Sequence, residues 1–141
     1  MSIFPIISPA VSESDSGALP LAKEAAWDYE ENIPIFRQGE IVVVSGKEAV
    51  KVWIWKALHT ERFRYEIYSR SYGSDVFRLI GKPYTSQLKQ TEAARYIREC
   101  LMINKYITQV RNSTVSFAGS QLTISCTVDT IYGTEDITTN V

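Results

Sequence analysis

From Val50 to Leu58 the apolar side chains recur at i, i+3, i+4, i+7 and i+8 (Val50, Trp53, Ile54, Ala57, Leu58). That spacing gathers them on one side of an α-helix and predicts a helix from about Gly46 to His59. Ser45 followed three residues later by Glu48 has the form of a capping box, with the serine hydroxyl accepting from a first-turn amide. Val52 and Trp55 fall off the stripe, so Trp55 marks either a second buried surface or a contact within its own domain. A second helical pattern runs from about Ser86 to Ile103. Ala94, Ile97, Cys100 and Leu101 share its inner face, and Lys89, Glu92, Arg95 and Glu99 surround the other sides.

Elsewhere the period is two. Ala26 to Glu30 alternates, and Ile33 to Val44 holds β-branched runs around Gly39, which predicts two or three strands with Pro34 at an edge or a strand start. Arg64 to Ser69 alternates as a further strand, Tyr72-Gly73 supplies a turn, and Asp75 to Ile80 reads as one helical turn. Ile107–Phe117 and Gln121–Ile131 form a predicted hairpin across Ala118-Gly119-Ser120. In its second strand Leu122, Ile124, Cys126 and Val128 face one side, and Thr123, Ser125 and Thr127 the other. Gly133 ends that strand before a short, polar, β-prone tail, Glu135 to Thr139. The order predicts an α+β fold: a mainly antiparallel sheet with two principal helices packed on it.

Pro5, Pro9 and Pro20 are mixed with Ser8, Ser12, Ser14, Ser16 and Gly17, a stretch that cannot pack on itself. Residues 1–22 are therefore expected to form an extended N-terminal arm, and 23–141 a single α+β domain. Ile3, Phe4, Ile6 and Ile7 are more apolar than a spacer needs, which suggests that the arm lies against a neighbour.

Composition narrows the chemistry. In 141 residues, 45% hydrophobic and 22% charged, fifteen Lys+Arg oppose sixteen Asp+Glu for a formal charge of -1. A duplex nucleic-acid coat normally needs a basic surplus, so it is disfavoured. No apolar run approaches the roughly 18–20 residues of a membrane span. The N-terminus lacks the positive region of a secretory signal, so the chain is expected on the cytoplasmic side unless an assembly carries it elsewhere.

Cys100 and Cys126 are too few for a disulfide framework and read as buried thiols. His59, the one histidine, falls at a helix end, where a cation favours the last carbonyls. With no nucleophile motif, no ligand cluster and no glycine-rich phosphate loop, no catalytic residue, metal or cofactor is expected. Glu61 with Glu66 or Asp75 leaves open a cell-wall glycan hydrolase, which needs two carboxyls about 5–9.5 Å apart.

The densest constellation runs from Thr60 to Gly73, with three arginines, one Phe and three tyrosines in fourteen residues. Arg and Tyr are enriched where proteins bind proteins, and they also stack on unpaired bases. The two glutamates in the stretch favour the protein partner over a single-strand nucleic-acid module. Glu61, Arg62, Arg64, Tyr68 and Tyr72 are the candidate contacts here, with Glu61-Arg62 fixing the turn after the helix. Trp55 joins them if it faces a partner.

At these residues a resemblance emerges. GKEAVKVWIWKALHTERFRYEIYSRSYG, then LIGKP, a charged helix and a terminal TVDTIYGTEDI resemble the short baseplate proteins of defective-prophage and contractile-phage tails. These in turn are similar to the lysozyme-like baseplate wedge family, which includes a type VI secretion baseplate subunit. Leu58-His59-Thr60-Glu61-Arg62, Ile67-Tyr68, Tyr72-Gly73 and Thr130-Ile131-Tyr132-Gly133 carry the match, which spans roughly residues 25–137.

The resemblance implies a structural sheath initiator and no enzyme. It would sit in the baseplate of a virion tail or tail-like particle made in the bacterial cytoplasm. The partners implied are the sheath protein, baseplate wedge proteins and tube or hub proteins, with six copies around the tail axis and neither nucleic acid nor membrane. The wider family often carries Glu-Pro-Arg after the second helix for wedge contact. Asn104-Lys105-Tyr106 stands there in this chain, so Lys105 and Tyr106 become candidates for the replacement. The polar tail, through Glu135, Ile137 and Thr139, is expected to enter strand exchange with the sheath.

Overall fold

The computed structural model describes residues 19–62, 72–118 and 121–141. Six short strands open it: β1 (Lys23–Ala25), β2 (Trp27–Asp28), β3 (Ile33–Pro34), β4 (Phe36–Arg37), β5 (Glu40–Ile41) and β6 (Val43–Ser45). They pair antiparallel as β1 with β6, β2 with β3 and β4 with β5. The three ladders meet at a closed ring of backbone hydrogen bonds. Ala26 N–H donates to Val42 C=O (2.7 Å), Val42 N–H to Ile35 C=O (3.0 Å), and Ile35 N–H to Ala26 C=O (2.9 Å).

This trefoil replaces the two or three longer strands expected from the apolar runs. Each run is interrupted once because its junction residue turns to the hub instead of continuing its ladder. Gln38 and Gly39, both at positive φ (55° and 83°), make the two-residue turn between β4 and β5.

Helix α1 (Lys47–Leu58) follows directly. The expected capping box is not formed. Ser45 is held in the ladder opposite Lys23, and Gly46 takes the N-cap position at φ 67° without a side-chain cap. Its N–H donates to Ala22 C=O (2.9 Å), so the chain enters the helix by a backbone turn that glycine adopts without penalty. Val50, Ile54, Ala57 and Leu58 are buried as the stripe requires, while Trp53 is only half-buried. Ala49 and Val52 are buried too, so the covered face is wider than the stripe. The Arg64–Ser69 strand expected next lies outside the described residues.

A 3-10 turn (Val76–Leu79) leads towards α2 (Ser86–Leu101). Thr85 caps α2, its hydroxyl accepting from Leu88 N–H (3.2 Å). The helix buries Ala93, Ile97, Cys100 and Leu101; Ala93 takes the inward place expected for Ala94, which is half-buried. It stops at Leu101 rather than Ile103, because the Asn104 N–H closes a turn onto the Leu101 carbonyl.

The main sheet has the order β7 (Ile107–Ala118), β8 (Gln121–Thr130), β9 (Gly133–Asn140), all antiparallel. Its central strand alternates as expected, with Leu122, Ile124, Cys126 and Val128 buried. They join the inner residues of α1 and α2 in one α+β core. A register shift between Arg111 and Thr114, with Asn112 at φ 55°, bends β7.

Candidate interaction site at the sheet edge

A three-stranded sheet has two edges, and here they differ. On β7, the backbone of Val115 points away from β8 and meets the side-chain amide of Gln90 on α2. Gln90 Nε2 donates to Val115 C=O, and Val115 N–H donates to Gln90 Oε1 (3.1 Å). The helix therefore blocks that edge at Val115.

The β9 edge is met by a helix side chain at its end alone among the described residues, where His59 reaches the Asn140 carbonyl. Leu122 and Val141 exchange both backbone bonds (3.3 and 2.8 Å), which sets the phase of the ladder. Thr134, Asp136, Thr138 and Asn140 then turn their N–H and C=O groups outward. Among the described residues no strand pairs with them.

Helix α1 runs beside this strand. Lys47, Lys51, Trp55 and His59 follow one another at intervals of four, on one side of the helix. At one end Lys47 pairs with Glu135 (3.4 Å). At the other, His59 Nε2 lies 2.9 Å from Asn140 C=O and 3.2 Å from Thr139 Oγ1, while Nδ1 lies 2.8 Å from Trp55 C=O. The helix-end role expected of His59 is thus extended into a tie to β9. Between the two ties, Lys51, Trp55 and Tyr29 face Asp136, Ile137 and Thr138 across a groove of about 350 Å³.

Tyr29 and Trp55 are 5.6 Å apart and tilted; Trp27 lies 6.2 Å from Trp55, and His59 stacks on it at 3.8 Å. Trp55 therefore lies over its own chain and walls the groove. Burial, aided by Glu48 and Glu135, pushes the Tyr29 phenol up to about 12, so its O–H stays on. That O–H is buried with no hydrogen-bond partner.

Glu61 and Arg62 sit where two segments cross. Glu61 bridges Ser74, Arg62 N–H donates to Ser74 C=O (3.1 Å), and Ser74 N–H donates to Thr60 C=O (2.8 Å). The Arg62 guanidinium reaches Asp75 (3.0 Å), a buried carboxylate that Arg78 also approaches (3.4 Å). Asp75, a candidate hydrolytic partner of Glu61, is thus engaged by two arginines. Tyr72 packs edge-on against Trp53 (6.0 Å). Arg64, Glu66 and Tyr68 lie outside the described residues.

Lys105 is exposed, and Tyr106 is engaged within the chain. Its hydroxyl donates to Pro20 C=O (2.6 Å), and its ring stacks on Tyr132 (6.0 Å, 15°). The Tyr132 hydroxyl accepts from Ala22 N–H (3.1 Å), so the two tyrosines pin residues 20–22. Both cysteines are free and buried, and burial raises Cys100 to about 12 and Cys126 to about 11. Among the described residues no group of three or more His, Cys, Asp or Glu could hold a metal, and no helix is long and apolar enough to cross a membrane.

The structure brings Trp55, Glu135, Ile137 and Thr139 to the β9 edge. Glu61, Arg62 and Tyr72 gather at the crossing, and Lys105 and Tyr106 lie after α2. Sequence reasoning missed Tyr29, Lys51 and Gln90. The four-residue spacing of Lys47, Lys51, Trp55 and His59 was the available signal for one wall of the groove; Tyr29 and Gln90 had none.

A family model described as contractile injection system sheath initiator matches residues 23–133. The phage-like element PBSX protein XkdS of Bacillus subtilis (strain 168) is 30% identical over 105 residues, 72% of this chain and 74% of that protein.

Proposed function

The chain belongs to the contractile injection system sheath initiator family, and from that premise we propose that it nucleates a tail sheath by accepting a donated strand along β9. It stands between the baseplate wedge proteins and the first ring of sheath subunits, in several copies around the tube, and performs no chemical step. The particle assembles in the bacterial cytoplasm around these copies.

The open outer edge of β9 carries this reading. Thr134, Asp136 and Thr138 offer three outward N–H and three outward C=O groups along the edge strand of the sheet. Strand addition would satisfy them, each bond contributing a net of about 0.5–1.5 kcal/mol. Several such bonds per copy, repeated around a ring, hold a first layer without covalent chemistry. The crossing at Glu61 and Arg62, with Tyr72, is the surface assigned to the wedge, together with exposed Lys105. Tyr106 serves that contact indirectly, by fixing residues 20–22.

Thr138→Pro tests the reading. Proline removes an outward N–H and leaves the β8–β9 bonds in place, a position that edge strands tolerate. The substituted protein should keep its fold by circular dichroism and lose binding to the sheath subunit of the same particle. Normal sheath nucleation by this folded variant would refute the role of β9.

A further inference from the structure

Resting on that strand-addition reading, we infer that the groove beside β9 selects a donated strand carrying an Asp or Glu opposite Ile137. An antiparallel strand laid on β9 would hydrogen-bond at Thr134, Asp136 and Thr138. The residue facing Ile137 would then form a non-hydrogen-bonded pair, with its side chain on the same face as that of Ile137. That face is the one turned towards α1, since Glu135 and Thr139, two residues either side of Ile137, bond Lys47 and His59. The side chain would enter the groove between Lys51, Trp55 and Tyr29.

Two residues that line the groove carry donors without an acceptor. The Lys51 ammonium lies 5.8 Å from the centre of the Tyr29 ring and makes no ion pair among the described residues. Tyr29 Oη is buried with no partner. Leaving such a group unsatisfied is costly, so its complement is expected to arrive with the partner.

The nearby acids do not supply it. Glu135 is paired with Lys47, Asp136 accepts from Thr127 Oγ1 (3.0 Å) on the opposite face, and Glu48 is exposed. A carboxylate from the donated strand would accept from Tyr29 Oη and pair with Lys51, with its methylene stem along the Trp55 ring. A lysine or arginine there would leave both donors unmet and add a like charge.

The test uses the full chain and the sheath subunit of the same particle, with binding measured at low and high salt. Lys51→Glu should weaken binding about tenfold or more, as expected for reversing one partner of a desolvated charge pair. Lys51→Arg should stay within about twofold of the parent, and Tyr29→Phe should lose about threefold or more through the missing hydrogen bond. Lys82→Glu makes the same change in net charge away from the groove and should bind as the parent does. The inference is overturned if Lys51→Glu and Tyr29→Phe bind normally while Thr138→Pro does not; strand addition then stands without the carboxylate. It is also overturned if Lys82→Glu weakens binding as much as Lys51→Glu. Normal binding by Thr138→Pro would remove the strand-addition reading itself.

Discussion

Gln90 and Val115 form a two-point pair, the side-chain amide of a helix standing in for the backbone of a neighbouring strand. The consequence is an asymmetric sheet. The β7 edge is met at Val115 by the protein's own helix, whereas no strand among the described residues pairs with the outer edge of β9. An exposed strand edge invites indiscriminate pairing, so blocking one side would confine the proposed strand addition to the other.

Gln90→Leu should therefore cost about 1–3 kcal/mol in urea unfolding, because the Val115 N–H and C=O lose their partners in a part-buried place. The variant should also associate through β7, visible as concentration-dependent oligomers in sedimentation. A monomeric variant of parent stability would show that the pair contributes nothing.

Arg62→Ala should destabilise by about 2 kcal/mol, since it strips the closer of two guanidinium partners from buried Asp75. Asp75→Asn, which removes the buried charge together with the pairing, should cost less. Thermal unfolding of the two variants distinguishes them, and equal losses would contradict the assignment.

Gly73→Ala should be among the worst glycine substitutions in the chain. Gly73 has φ 106°, and a Cβ there would lie 2.8 Å from the Cα of Arg62, a backbone atom with no freedom to retreat. Gly81 has a similar φ (81°) but open space around it. Its replacement should cost only the conformational strain of about 1 kcal/mol, whereas Gly73→Ala should lose about 3 kcal/mol or fail to accumulate.

Stability should fall in alkali. Burial holds the thiols of Cys100 and Cys126 protonated to about 12 and about 11, against a reference of 9.0. Between about pH 9 and pH 11 the unfolded chain therefore binds fewer protons than the native one, and unfolding is favoured as pH rises. Urea titrations across that window should show the decline, and Cys100→Ala should show a shallower one from its lower starting stability. A flat profile in the parent would mean that the thiols ionise freely in the folded protein.

The repeating patterns were legible in the chain itself. The stripe from Val50 to Leu58 and the alternation from Leu122 to Val128 each follow from one period applied to apolar residues; the alternation is buried throughout, and the stripe is buried except at half-buried Trp53. The resemblance carried by Leu58–Arg62 and Thr130–Gly133 pointed to the family that the match over residues 23–133 establishes. Local chemistry was less dependable. Ser45 and Glu48 have the composition of a cap, yet the ladder opposite Lys23 had already taken the Ser45 backbone. Ala93 and Ala94 differ by one helical step of about 100°, too fine a distinction for a pattern with a wide apolar face.

Sequence alone determined the two principal helices, the terminal hairpin, the α+β class and the family, because these depend on local periodicity and short motifs that do not require knowing what lies opposite. Only the tertiary structure decided which edge stays open and what borders it. The hub at Ala26, Ile35 and Val42, the closure of β7 by Gln90 and the groove walled by Tyr29, Lys51 and Trp55 all join residues distant along the chain. Such contacts are set by how the layers stack, and no period in the chain encodes that stacking.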